Sequence, residues 1–78
     1  IARELGGRGI RVNVVAPGAI ATDFGGGVVR DVPEVNRHVA SQIPLGRVGE
    51  ADDVGAAVAA LLSDGMAWMN GARVELSG

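Results

Sequence analysis

Pro17-Gly18-Ala19-Ile20-Ala21-Thr22 puts a rigid ring, a glycine, a run of small or apolar residues and a hydroxyl into one short stretch. Such a stretch binds rather than reacts. Small residues let a flat ligand come close, and main-chain amides offer paired donors and acceptors. No reactive group accompanies it. The chain has no Cys and no Tyr, and all seven of its positive residues are Arg. Chemistry that needs a thiolate, a phenol or an ammonium therefore lies outside these residues. His38 is the only His, with no second His for a metal pair and no carboxylate partner in sequence, so it reads as solvated rather than as a base. Arg47 can hold an anion, but the favoured reading ties it to loop carbonyls and to Asp52 or Asp53. Gly25-Gly26-Gly27 read either as the hinge of a lid or as a plain mobile loop, with Phe24 lining a cavity or anchoring that loop.

The elements that position these residues follow from pattern. Ile1 to Leu5 look like the last turns of a helix, and Gly6-Gly7 like its left-handed end. Ile10 to Ala16 is rich in β-branched residues and of strand length. Ile10, Val12 and Val14 share one face, and a buried Asn13 on the other would tie neighbouring backbone together. Pro17 should end this strand. In α/β proteins ligands bind where strands end, which makes the Pro-Gly turn a pocket wall.

Beyond the glycines, Pro33 to Gln42 is expected as a short helix with Pro at its first position. The clearest helix follows, with Asp52 and Asp53 in its first turn and Val54, Ala57, Val58, Leu61 and Leu62 on one face. Ser63-Asp64-Gly65 should end it, and Ala72 to Leu76 alternate as a short strand. The order is helix, strand, loop, helix, helix, strand. Two strands joined through helices are expected to be parallel, and two strands alone do not make a stable sheet.

The 78 residues allow at most one small domain, and a domain of about this size buries only about 60% of its unfolded surface. With no Cys there is no disulfide to staple it. A net charge of −2, scattered Arg and only two aromatic residues, Phe24 and Trp68, argue against a nucleic-acid partner. No apolar run approaches the ~20 residues of a membrane span. No Cys and no signal-like start make a reducing cytoplasm the default expectation. A start without Met, in what looks like mid-helix, suggests a fragment.

Three blocks carry a family likeness. Gly9 through Thr22, Pro44-Leu45-Gly46-Arg47-Val48-Gly49-Glu50-Ala51-Asp52-Asp53-Val54, and Asn70 through Gly78 resemble successive segments of short-chain dehydrogenases/reductases, in order along the chain. The resemblance implies an α/β fold, the C-terminal part of a Rossmann-like doubly wound parallel sheet, with residues 1–78 a C-terminal fragment of a single NAD(P)-binding domain. It implies NAD or NADP as cofactor, hydride transfer with a small carbonyl or alcohol substrate, and a homo-oligomer, dimer or tetramer, when intact. It carries over Pro17 and Gly18 as packing under the nicotinamide ring, the Ile20 backbone as hydrogen-bonding the carboxamide, and the Thr22 hydroxyl as reaching the carboxamide or the phosphates. It also implies a glycine-rich phosphate loop and an active-site Asn, Ser and Tyr-x-x-x-Lys, none of which has a counterpart here, so no catalytic residue is assigned and the fragment alone is expected to be inactive. Asn70 stands where Thr is commoner, and Ser77 where Asp is usual. Trp68 and Met69 read equally as part of a subunit face or as a core anchor. The competing readings are a non-catalytic relative serving as a binding or scaffold protein, and, less favoured, a self-sufficient interaction module.

Overall fold

The computed structural model describes residues 1–78. A first helix, α1 (Ala2–Leu5), tightens into a 3-10 turn over Gly6–Arg8. The left-handed residue is Gly9, at φ 74°, whereas Gly6 stays right-handed at φ −58°. The expected left-handed end at Gly6-Gly7 is thus displaced, because the 3-10 turn continues the helical sense before the chain reverses.

Strand β1 is Val14–Pro17, shorter at its start and longer at its end than the expected Ile10 to Ala16. It pairs in parallel with β2 (Arg73–Leu76), Val14 opposite Arg73 and Pro17 opposite Leu76. Residues 10–13 fall outside the ladder because the chain opposite them is a turn. Val12 is satisfied there by Asn70 Oδ1, at 2.9 Å from its nitrogen, and by the Gly71 N–H, at 2.9 Å from its oxygen. Val14 N–H donates to Ala72 O and Gly18 N–H to Leu76 O, both at 2.9 Å. Residues of one phase face one neighbour in a parallel ladder, so Pro17, in the other phase, places its missing N–H on the open edge. Pro17 therefore belongs to the strand instead of ending it.

The segment after β1 contains a 3-10 turn at Phe24–Gly27 and a one-turn helix, α2 (Val28–Asp31), where the sequence suggests only loop. Gly25, Gly26 and Gly27 all have positive φ, at 67°, 80° and 76°, a run that side chains with a Cβ rarely adopt. Helix α3 (Pro33–Ser41) opens on Pro33 as expected. It packs against α2, and Asn36 Nδ2 donates to Val29 O at 2.9 Å.

Helix α4 (Ala51–Leu61) starts where its acidic turn suggests. Asp53 accepts the Glu50 N–H at 2.8 Å, which satisfies an amide ahead of the first turn. Its apolar face is only partly covered: Val54, Ala57 and Leu61 are half-buried, while Val58 and Leu62 remain exposed. Ser63 ends the helix, its Oγ donating to Ala60 O at 2.6 Å. No helix is long and apolar enough to cross a membrane.

The chain is extended, with a radius of gyration of 15.5 Å; a compact domain of this length has about 11.5 Å. Only Val48 and Gly27 are buried, and the accessible surface is 5689 Å². A folded monomer of 7.9 kDa exposes about 4,400 Å². The surplus, about 1,300 Å², is surface that a self-contained domain would cover.

Candidate functional site

Residues 17–22 form a ledge that leaves the end of β1 and runs beside the connector between α3 and α4. Gly49 holds it there. Its N–H donates to Ala19 O at 2.9 Å, and its carbonyl accepts the Ala21 N–H at 2.8 Å. These bonds form an isolated parallel bridge between Ile20 and Gly49. In such a bridge the N–H and C=O of the central residue point away from the partner. The Ile20 carbonyl there accepts the Thr22 N–H at 2.9 Å, and the Ile20 N–H has no backbone partner. A donor and an acceptor of one residue thus stand side by side on the side of the ledge away from Gly49.

The other carried-over residues take up different duties. Pro17 is exposed at the strand end. Gly18 is required by its neighbour in the chain: a Cβ there would lie 3.0 Å from Ser77 Cβ and 3.1 Å from Ser77 Cα. The continuation of β2 comes close to Gly18 on that side. Thr22 is half-buried, and its Oγ1 accepts the Phe24 N–H at 3.3 Å, which leaves its hydroxyl hydrogen available.

A pocket of about 270 Å³ opens beside the ledge, with Ile20, Leu45, Val54 and Leu76 as apolar lining and Arg47, Asp53 and Glu75 as polar lining. Of the ledge residues Ala19 and Ile20 contribute to it, and Pro17, Gly18 and Thr22 do not. The pocket is formed by the Ile20 side chain, which lies so near Gly49 that a Cβ on that glycine would be 2.5 Å from Ile20 Cδ1. The ledge presents the Ile20 main chain.

Three polar groups fix this arrangement. Arg47 binds Asp53 through two hydrogen bonds, of 2.8 and 3.2 Å, and also donates to Val48 O at 3.1 Å. The Arg47 bonds, helped by the Glu50 N–H, hold the Asp53 carboxyl down at about 2, and Asp53 in turn raises Arg47. This settles the Arg47 expectation in favour of the structural role, with Asp53 as the partner. Asn13 ties the backbone as expected, donating to Met69 O at 3.2 Å and accepting the Ala72 N–H at 3.0 Å. Arg11 is a residue that sequence reasoning missed. Its guanidinium gathers Met66 O at 2.9 Å, Met69 O at 3.1 Å and Leu61 O at 3.3 Å, closing the end of α4. The available signal was an Arg among the β-branched residues leading into β1.

Farther out, Arg30 pairs with Asp23 and, at 2.7 Å, with Asp31. Asp31, then Asp23, raise the Arg30 pKa, and Arg30 lowers that of Asp31. His38 is exposed, with only Gln42 near its ring at 3.5 Å. Trp68, 99% exposed, anchors no core in this chain. Phe24 is exposed as well.

Comparison with known proteins covers the chain from end to end. The family model described as enoyl-(acyl carrier protein) reductase matches residues 1–78. The chain is 47% identical over 79 residues to the 3-oxoacyl-(acyl-carrier-protein) reductase FabG of Pseudomonas aeruginosa, covering 100% of this chain and 30% of that protein. It is 45% identical over 80 residues to an Arabidopsis thaliana protein named NADPH-dependent aldehyde reductase-like protein, chloroplastic, covering 100% of this chain and 28% of that one. It superposes on a solved 4-hydroxyisoleucine dehydrogenase complexed with NADH with a TM-score of 0.84 and 26% identity, over 99% of this chain and 31% of that one. The chain therefore spans about 30% of the length of the curated relatives it matches, and its fold is Rossmann-like α/β.

Proposed function

Since the chain belongs to the short-chain dehydrogenase/reductase family, we propose that it is the C-terminal, nicotinamide-side portion of an NAD(P)-dependent oxidoreductase acting on a small carbonyl or alcohol substrate. The observation that carries this is the main chain of Ile20, whose N–H is free of any backbone partner and stands beside its own C=O. A primary carboxamide has one acceptor and one donor, and the ledge offers the complement. The Ile20 carbonyl can take a second hydrogen bond besides that of Thr22, because a carbonyl oxygen has two lone pairs. Pro17 supplies an exposed apolar surface at the strand end on which a flat ring can rest. The Thr22 hydroxyl, already accepting from Phe24, has its hydrogen left to give to a carboxamide or phosphate oxygen. The residues present fit the group. A bound nicotinamide supplies hydride to, or takes it from, the carbon of a carbonyl or alcohol. This chain's part is to hold that ring in one orientation, which is where positioning lowers a barrier.

The other surfaces find places in the same reading. The surplus of exposed surface is what the missing strands and helices of a larger sheet would cover. The segment 24–42, held mainly by local contacts, is assigned to cover the substrate. Val58, Leu62 and Trp68 are assigned to contact a further subunit. The cofactor is NAD or NADP, and the groups that move the proton are on other parts of the polypeptide. The test is consumption of reduced nicotinamide with a panel of carbonyl substrates. The complete polypeptide should turn over, and the isolated 78 residues should not. Steady turnover by the isolated chain would contradict this division of labour. A complete polypeptide that binds no nicotinamide cofactor would make the protein a scaffold instead.

A further inference from the structure

Asn70 is one of two residues at which the sequence departs from its family likeness, and the ledge makes no use of it. It is followed by Gly71, the neighbour that least hinders attack on an Asn side chain by the next backbone nitrogen. Asn70 is exposed in this chain. Two hydrogen bonds hold the groups that would react. Asn70 Oδ1 accepts the Val12 N–H at 2.9 Å, and the Gly71 N–H donates to Val12 O at 2.9 Å. Both partners are the main chain of one residue, just ahead of β1.

We propose that Asn70-Gly71 is a deamidation site held closed by Val12, and that it opens when the start of β2 separates from the chain leading into β1. In the reaction hydroxide removes the Gly71 amide proton, and the Gly71 nitrogen attacks Asn70 Cγ. A new N–C bond forms, the Cγ–Nδ2 bond breaks, and the side-chain nitrogen leaves as ammonia, taking up a proton from water. Water then opens the succinimide at either carbonyl, giving aspartate or isoaspartate, with no oxidant or reductant involved. In the folded chain the attacking nitrogen still carries a proton committed to Val12, and the carbonyl is fixed by Val12 from its other side. Ring closure requires both bonds to break, so its rate follows the open fraction of this segment. The isoaspartyl product puts an extra carbon into the main chain just before Gly71, whose bond to Val12 precedes the first rung of the ladder, Val14 N–H to Ala72 O.

Two other asparagines serve as internal controls. Asn13 is followed by β-branched Val14 and uses both ends of its amide, and Asn36 is followed by Arg37 inside α3. The test incubates the complete polypeptide at mildly alkaline pH, in buffer and in urea, and follows the tryptic peptide from Val48 to Arg73 by mass. Asn70 is the only side-chain amide in that peptide, so the amide-to-acid mass gain reports on it alone. The gain should be at least about tenfold faster in urea than in buffer, faster in urea than at Asn13 or Asn36, and abolished in Asn70→Thr. Equal rates in buffer and urea would overturn the role of Val12. A rate in urea no greater than at the control asparagines, or a gain that persists in Asn70→Thr, would overturn the site.

Discussion

The ledge and the arm of residues 24–42 are built in opposite ways. The body that carries the ledge is tied by bonds between distant residues: Arg11 reaches Met66, Leu61 and Met69 across 50 to 58 positions, and Asn13 reaches Met69 and Ala72 across 56 and 59. In the arm, side-chain hydrogen bonds join residues at most seven apart, as in Arg30 to Asp23 and Asn36 to Val29. Its glycines show the same contrast. Where a Cβ would go, Gly18 and Gly49 meet residues distant in the chain, whereas Gly25 and Gly26 have open space and Gly27 meets only the nearby Arg30 and Asp31. A region fixed by distant contacts keeps its shape when a loop changes. A region fixed by local ones can be altered without disturbing the rest. Under the proposed function, the first suits a surface that holds the nicotinamide ring, and the second a cover over the substrate.

The sharpest way to break this comparison is Gly18→Val in the complete polypeptide. The new side chain meets Ser77 backbone and Cβ near 3 Å, so β1 and β2 must part, at a cost of about 3 kcal/mol. Gly26→Ala in the arm meets no atom and carries only the penalty of its positive φ, about 1 kcal/mol. Denaturant midpoints of the two variants measure the difference, and equal shifts would erase the distinction between the regions. Next is Asn13→Ala, which leaves Met69 C=O and Ala72 N–H without their partner and should destabilise by about 2 kcal/mol. Amide exchange at Ala72 should accelerate in that variant.

The Arg47–Asp53 pair gives a smaller, pH-dependent effect. The folded Asp53 value of about 2 lies below the ordinary 3.8. The pair's contribution is therefore fully present above 3.8 and is lost as pH falls through about 2. Asp53→Asn should flatten the acid limb of the unfolding profile in that window, followed by circular dichroism. The smallest effect is expected from Arg30→Ala. Its partners are exposed and local, so the global melt should be unchanged while exchange rises at residues 23–31.

The same division explains what could be read from the sequence. The Pro33 helix start and the acidic turn at Asp52-Asp53 are local patterns, and each reads correctly as a place in the chain. Arg47 resolves onto Asp53 because the partner is six residues away. Arg11 and Gly49 escaped notice because their meaning lies in residues many positions distant, the end of α4 and Ile20. β-branched composition extends the first strand back to Ile10, but a strand needs a partner and Val12 faces a turn. Helix α2 was hidden by three glycines that looked like plain loop and are a left-handed run leading into it. Gly18 also has a neighbour that composition could not name, Ser77 at the end of β2.

The central claim is that the Ile20 main chain holds the nicotinamide carboxamide. The most direct measurement is cofactor affinity of the complete polypeptide carrying Ile20→Pro, which removes the free N–H, beside Ile20→Val, which keeps it. Ile20→Pro should bind NADH or NADPH about tenfold more weakly, with Ile20→Val unchanged. Undiminished binding by a folded Ile20→Pro protein would contradict the account.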